Sequence, residues 1–460
     1  MATKRDMERL KKKLMHEKVH GWTSLGPKEK DTCLSYALGY RNFLSTAKTE
    51  REVISEIVKE LDKARDVIYW VYRDKALCAY RPGQGKAARG VRIVCTHIDA
   101  PRLDLKLNPL YEEFEMVFLK THYYGGIKKF HWVTRPLALH GVVYLKNGTR
   151  VDINIGEAPD DPVFTINDLL PHLASRVQGE KKLREAVPAE KLNCLLAGLP
   201  IHGPKDTKEA VKLNCLELLH ERYGIVERDL ISAEIEIVPQ GPAREVGIDR
   251  AFIGGYAQDD RACAYAAMKA LVDARRPKEP LLALFLDKEE IGSDGNTGAK
   301  SRILELSLFE VFRLEGAETA PDTLYRALNL SRAISGDVTA GIDPDYVEVH
   351  EKRNDARVGY GVNLTKYTGS RGKYSANDAH AEFVNWITRA WDRGGIVWQA
   401  GELGRVDEGG GGTVAKYIAS LGVDTVDAGP PLLSMHSPFE IAHKLDLYMT
   451  YKAYRTFYEA

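Results

Sequence analysis

Residues 281–293 read Leu-Leu-Ala-Leu-Phe-Leu-Asp-Lys-Glu-Glu-Ile-Gly-Ser, six apolar residues followed at once by four charged ones. A short apolar run of this kind is typical of a strand that is buried on both faces. The adjacent Glu289 and Glu290 repel each other unless a cation or a proton lies between them. One of them can then ligate a metal while its neighbour acts as a general base on water, although a solvated charge cluster is the alternative interpretation.

Strand-like and helix-like segments alternate on both sides of this run. The first 66 residues have helical periodicity and include a capping-box pattern from Thr49 to Glu52. Further elements are predicted as strands over residues 91–95 and 424–427 and as helices over residues 261–275, 378–393 and 438–458. This alternation predicts an α/β fold in which a mixed central sheet is flanked by helices, with functional groups where strands end.

The middle of the chain has a different pattern. Extended segments over residues 139–145 and 151–155 flank Asn147-Gly148, a strong signal for a β-hairpin. Helices are predicted over residues 188–197 and 210–223. We therefore interpret residues 108–247 as an inserted β-rich domain, and residues 1–107 and 248–460 as one discontinuous catalytic domain.

The composition narrows the class of partner. Lys and Arg total 65, as do Asp and Glu, so no net positive charge favours nucleic acid. No run of about 18 apolar residues predicts a membrane span, and the first residues lack the apolar core of a signal peptide. The six cysteines show no close pairing, which is typical of reduced thiols. We predict a cytoplasmic protein without nucleic-acid or membrane partners.

Acidic residues and histidines recur at other predicted element ends. In an extended chain, residues two apart point to the same side, so Asp99 can approach the His97 ring and fix its tautomer. Asp259-Asp260 precedes an Ala-rich helix, where one carboxylate can bridge two metals or simply cap the helix. Asp337 after Gly336, and His436 near the end of the chain, carry no signal when each is taken separately.

In this order, however, the segments together resemble the co-catalytic zinc peptidases. Within that clan the chain is similar to the M18 family, the aspartyl aminopeptidases and their bacterial relatives. The resemblance covers nearly the whole chain and includes the insert. It is closest over residues 96–104, 287–293, 336–337 and 435–437.

The resemblance implies two divalent metal ions in each subunit. His97 and Asp337 would ligate one ion, and Glu290 and His436 would ligate the other. The bridging carboxylate would be Asp259, with Asp260 as the less favoured choice. Glu289 would be the general base, and Asp99 would orient His97. Oxygen and imidazole donors suit Zn, while Co and Mn fit the same donors.

The resemblance also implies an assembly. In such families the insert mediates dimerisation, dimers form dodecamers, and a histidine of the insert reaches the active site of a neighbouring subunit. The matching residue is His172, for which an ordinary helix-end histidine is the alternative reading. Lys366, Lys373 and Tyr374 are candidate substrate-binding residues. The Gly-rich residues 408–413 lack the phosphate-loop form and are interpreted as a backbone bend that lines the pocket.

These features predict an aminopeptidase that hydrolyses the N-terminal residue from peptides. Its residue preference stays open, because acidic-specific relatives carry a histidine where this chain has Ala340. A neutral-residue aminopeptidase and a related dimetal deacylase, dipeptidase or carboxypeptidase are the alternatives. A non-catalytic scaffold is disfavoured, because a scaffold has no need for Glu289.

Overall fold

A computed structural model of the chain describes residues 3–15, 18–204 and 206–460. The central sheet has eight strands, and its four middle strands run parallel while those on either side introduce antiparallel pairs. The predicted mixed α/β class is therefore confirmed. In spatial order the strands are Ile68–Tyr72, Ala76–Arg81, Leu281–Leu286, Arg92–His97, Arg332–Gly336, Asp424–Gly429, Val362–Thr365 and Trp398–Ala400.

The strand Leu281–Leu286 is apolar throughout because both of its faces are buried. Leu281, Ala283 and Phe285 point into one hydrophobic core, and the residues between them point into another. The first core is covered by the helices Pro27–Thr46, Glu50–Leu61, Gln258–Asp273, Ala381–Arg393 and Lys444–Glu459. The second core is covered by the helices Ile303–Glu315, Pro321–Leu330 and Ala415–Ser420.

The N-terminal segment is helical, as predicted, with an exposed helix Lys4–Leu14 before the two packed ones. The capping box at Thr49 is also present. The Thr49 hydroxyl accepts a hydrogen bond from the Glu52 amide, and the Glu52 carboxylate accepts one from the Thr49 amide. This box fixes the start of the helix Glu50–Leu61.

A second, seven-stranded sheet lies between Arg102 and Pro239, and all its neighbouring strands are antiparallel. The helix Ala210–Tyr223 packs against its core, and the short helices Pro171–Ala174 and Leu183–Ala186 lie in the same segment. The predicted hairpin at Asn147-Gly148 is present. In spatial order the strands are Arg150–Ile155, Leu137–Tyr144, Glu234–Pro239, Arg102–Glu113, Met116–Tyr124, Cys194–Ala197 and Thr165–Ile166.

Two smaller sheets complete the fold. A five-stranded sheet adjoins the C-terminal helix, and a two-stranded ribbon lies in the Gly-rich region. The strands of the five-stranded sheet are Arg244–Val246, Phe252–Gly255, Glu440–His443, Pro431–Leu433 and Thr339–Ala340, and those of the ribbon are Gly369–Ser370 and Gly410–Gly411.

Two of the predicted helices are wrong in part. Residues 188–197 form a 3-10 turn, Ala189–Lys191, and then the strand Cys194–Ala197. This strand pairs with Met116–Tyr124, and a short apolar run does not distinguish strand from helix by itself. The closing helix begins only at Lys444, because Glu440–His443 pairs as a strand with Phe252–Gly255.

All six cysteines are buried free thiols. Within the described ranges, no helix is both long and apolar enough to cross a lipid bilayer.

Candidate metal centre

The predicted ligands converge at the carboxyl edge of the central sheet. His97 is the last residue of the strand Arg92–His97, and Asp337 directly follows Arg332–Gly336. Glu290 lies in a 3-10 turn just after Leu281–Leu286. Because these three strands are parallel and adjacent, their ends lie side by side. His436 reaches the same place from the turn between two strands of the five-stranded sheet.

Asp259 stands between the two histidines. Its Oδ1 lies 3.0 Å from His97 Nε2, and its Oδ2 lies 3.1 Å from His436 Nε2. The side chains of Asp259 and His97 are almost completely buried. One carboxylate thus presents one oxygen to each imidazole, which is the arrangement that a bridging ligand requires.

Each histidine also faces a carboxylate of its own. His436 Nε2 is 3.3 Å from Glu290 Oε1, and His97 Nε2 is 3.9 Å from Asp337 Oδ1. Two overlapping sets of side chains bring their donor atoms within 4.8 Å of one another, His97 with Asp259 and Glu290, and Asp259 with Asp260 and Asp337. Imidazole and carboxylate donors at these separations fit divalent transition-metal ions.

The electrostatics of the cluster also fit a cation. Burial raises the pKa of Glu289 to about 7, and it raises the pKa values of Glu290 and Asp337 well above their usual range, with the charge of Asp259 adding to the effect. Among the described residues, the buried Glu290 Oε1 has no hydrogen-bond partner, although His436 Nε2 lies 3.3 Å away. Buried anionic oxygens that lack donors are the groups that a bound cation would neutralise.

Asp99 holds the turn that carries the two glutamates. Its carboxylate is fully buried and accepts hydrogen bonds from the backbone amides of Glu289, at 3.0 Å, and Glu290, at 3.1 Å. Its carboxylate also lies 3.4 Å from His97 Nδ1, and its backbone oxygen lies 3.1 Å from the same atom. Since an oxygen can only accept here, Nδ1 carries a proton, and Nε2, which faces Asp259, is the nitrogen that would ligate an ion.

The cluster forms one wall of a cavity of about 460 Å³. Residues 409–412 also line the cavity, in line with the predicted pocket-lining bend, as do Glu402, Asp427 and Lys373. A larger cavity of about 700 Å³ elsewhere is lined by His20, His443 and largely apolar neighbours, and none of the predicted ligands lines it.

The other predicted residues lie at or beyond the rim. Lys373 lines the cavity, but its Nζ is 2.9 Å from Asp378 Oδ2. Lys366 pairs with the other oxygen of Asp378 at 3.0 Å, and Tyr374 is 73% exposed. Neither Lys366 nor Tyr374 is among the described residues that line the cavity. His172 lies exposed in the helix Pro171–Ala174, away from the cavity of its own chain.

Sequence reasoning missed three groups that support the ligands. The buried Glu440 carboxylate accepts hydrogen bonds from the backbone amides of His436, at 2.7 Å, and Asp259, at 3.1 Å. The Tyr124 hydroxyl donates to Asp99, and the Gly126 carbonyl faces His436. A glycine pair at a strand end signals a close backbone approach, so Gly125-Gly126 could have directed attention to this segment. Nothing local marks Glu440.

Comparison with known proteins places this geometry in context. A family model described as aminopeptidase I zinc metalloprotease (M18) matches residues 43–458. The probable M18 family aminopeptidase 1 of Thermotoga maritima is 47% identical over 445 residues, covering 94% of this chain and 97% of that protein. A crystal structure of an M18-family aminopeptidase from Thermotoga maritima is 46% identical with a TM-score of 0.92, covering 96% of this chain and 99% of that one.

A more distant solved structure is described as the mApe1 dodecamer of S. cerevisiae. It is 22% identical with a TM-score of 0.71, covering 92% of this chain and 95% of that one. At this identity the likeness concerns the fold alone.

Zinc binding should stabilise the protein, because zinc would neutralise the buried carboxylates in the folded state only. Free zinc at about 100 times its Kd is expected to add about 2.7 kcal/mol to the free energy of unfolding of chelator-treated protein. Urea unfolding with and without zinc measures this. The variant Asp259→Asn, which weakens the shared carboxylate, should respond much less. An equal response in both proteins, or none in the wild type, would contradict the site.

Proposed function

Because the chain belongs to the M18 family of zinc metalloproteases, the aminopeptidases that hydrolyse peptide N-termini, we propose that it works with two divalent metal ions per subunit, preferably zinc. Co and Mn suit the same donors. The observation that carries this proposal is the Asp259 carboxylate, whose two oxygens face the two histidines at 3.0 and 3.1 Å.

The proposed ligand sets are those that the family resemblance implies, and the distances from His97 to Asp337 and from His436 to Glu290 support them. His97 and Asp337 would hold one ion, Glu290 and His436 the other, and Asp259 both. Two ligands and a shared bridge leave coordination positions open for water and substrate. Asp260 is the weaker candidate for the bridge, because no ion pair joins it to either histidine among the described residues.

The proposed mechanism assigns one proton-transfer role to the chain. The chemistry that such ions supply when bound is the polarisation of a carbonyl group and the acidification of water. Glu289 lines the cavity beside the ligands, and burial raises its pKa in the metal-free chain, which makes its carboxylate a better proton acceptor. Glu289 would take a proton from the attacking water and return it to the nitrogen of the leaving amine.

Replacing Glu289 by Gln should remove this proton transfer while leaving the ligands in place. We expect kcat to fall by about 10²- to 10⁴-fold, while elemental analysis still finds close to two metal ions per chain. The exposed Glu382 provides a matched control, since Glu382→Gln makes the same chemical change far from the cavity. Retained turnover in Glu289→Gln would rule out this base.

We further propose that residues 1–107 and 248–460 form the catalytic domain and that residues 108–247 form a dimerisation domain. The support is an exposed apolar surface around His172, formed by Leu169, Leu170, Leu173 and Leu183, which a single chain leaves open to solvent. A homo-oligomer, up to a dodecamer built from dimers, would cover it, and the description of the S. cerevisiae structure as a dodecamer agrees with this. His172 would then stabilise the oxyanion in the neighbouring subunit.

Subunit mixing tests the role of His172. His172→Ala alone is expected to lose about 10²- to 10³-fold in kcat, and Glu289→Gln alone is nearly inactive. In mixed oligomers, a Glu289→Gln subunit can lend its His172 to the intact Glu289 of a His172→Ala neighbour, so activity should return on reassembly. The control mixes His172→Ala subunits with subunits that carry both His172→Ala and Glu289→Gln, and it should restore no activity because no subunit supplies His172. Absence of recovery in the first mixture would contradict a shared site.

Substrate preference is tested with aminoacyl substrates of Asp, Glu, Leu, Lys and Ala and with their N-acetylated forms. The proposal expects turnover of the free amines only. Preference for acidic residues would support substrate binding by Lys366, Lys373 or Tyr374, and preference for neutral residues would point to Ala340 as the altered position. Turnover of acetylated substrates alone would replace the proposal by the deacylase alternative. The cytoplasmic location, and the lack of nucleic-acid and membrane partners, stay predictions.

A further inference from the structure

We propose that the segment Tyr124-Gly125-Gly126, where the strand Met116–Tyr124 ends, is a positioning element of the metal centre. Its Tyr124 hydroxyl would fix the carboxylate behind His97, and its Gly126 carbonyl would fix the ring of His436. This inference rests on the proposed ligand set. It assigns to the seven-stranded sheet a part in metal binding within its own chain, separate from any role at a subunit interface.

The first contact is made through Asp99. The Tyr124 hydroxyl donates a hydrogen bond of 2.8 Å to Asp99 Oδ2, which also accepts from the Glu290 amide. The other oxygen accepts from the Glu289 amide. Asp99 is completely buried, so these donors, together with the His97 ring 3.4 Å away, compensate its charge. Without the hydroxyl, Oδ2 keeps only the Glu290 amide as a donor, and the carboxylate is held less firmly against His97.

Tyr124 is itself held rigidly. The guanidinium group of Arg102 lies 3.9 Å from the centre of its ring. Arg102 is nearly buried and lies within 4 Å of the carboxylates of Asp104, Glu236 and Glu50. Burial and the neighbouring Asp99 raise the pKa of the Tyr124 hydroxyl, which therefore stays protonated and keeps donating.

The second contact is made through the backbone. The carbonyl oxygen of Gly126 lies 2.9 Å from His436 Nδ1. A carbonyl oxygen only accepts, so Nδ1 carries a proton, and Nε2 is the ring nitrogen that faces Asp259 and Glu290 and would ligate an ion held between them. A partner of this kind fixes both the tautomer and the ring orientation of a ligating histidine.

The two glycines explain why the backbone can come this close. A Cβ atom on Gly126 would lie 3.3 Å from His436 Nδ1, and one on Gly125 would lie 3.2 Å from Glu290 Oε2. Both distances are tighter than ordinary contacts. Gly125 also has φ of +72°, which a side chain disfavours. The strand end therefore lies directly against both residues of the proposed half-site formed by Glu290 and His436.

The test compares Tyr124→Phe with Tyr123→Phe, because Tyr123 is the neighbouring residue and is 41% exposed. Zinc affinity is measured by competition with a chromophoric chelator, and kcat and KM are measured on the best aminoacyl substrate. Tyr124→Phe is expected to lose about 10- to 100-fold in zinc affinity or kcat, as for other groups that orient metal ligands. KM should stay within about twofold, and Tyr123→Phe should match the wild type.

A second pair of variants tests the backbone contact. Gly126→Ala introduces a methyl group against His436 and is expected to weaken one zinc ion more than the other. Gly198→Ala is the control, because a Cβ there meets nothing within 4 Å. Urea unfolding of the metal-free proteins separates positioning from general stability. Tyr124→Phe and Gly126→Ala should unfold close to the wild-type midpoint when no metal is present.

Wild-type zinc affinity and kcat in both variants would overturn the inference, and so would losses that merely follow a lower midpoint in the metal-free protein. A wild-type protein that fails to bind two zinc ions would instead count against the proposed function. The two failures are therefore distinguishable in the same set of titrations.

Discussion

Mutual repulsion among carboxylates at one end of the central sheet is the constraint on which the rest of the site depends. Asp259, Asp260, Glu290 and Asp337 converge beside Glu289 at the cavity, and their side chains are largely buried. Placing charges in such surroundings costs several kcal/mol for each ion that lacks a counter-charge. The fold tolerates this because four parallel strands, buried on both faces, hold the backbone beneath the cluster.

The supporting hydrogen bonds form a second layer around this cluster. Asp99 accepts from the amides of the glutamate turn, and Glu440 accepts from the amides of His436 and Asp259. Each of these buried acids therefore anchors two proposed ligands or catalytic groups through their backbone. The orientation of the proposed ligands therefore depends on Asp99 and Glu440, two acids that are not themselves proposed as ligands.

The sequence predicts much of this arrangement where the signal is local. The apolar run before Glu289-Glu290 has the bounds of the observed strand, and the hairpin at Asn147-Gly148 is in place. The sequence predicts secondary structure poorly where pairing with a distant strand decides between strand and helix. Residues 194–197 and 440–443 are such cases, because they pair with strands far away in the chain. For the same reason Tyr124 and Glu440 escape notice. The composition likewise does not predict that Lys366 and Lys373 both pair with Asp378.

The carbonyl of Gly126 has a consequence for the modularity of the molecule. The seven-stranded sheet could be regarded as an appendage that a shorter ancestor acquired or that an engineer could trim away. Yet one of its backbone oxygens faces a proposed ligand from residue 436, some 310 positions later in the chain. A chain without this segment would keep every proposed ligand but would lose the carbonyl group that orients the His436 ring. The two sheets are thus a single functional unit.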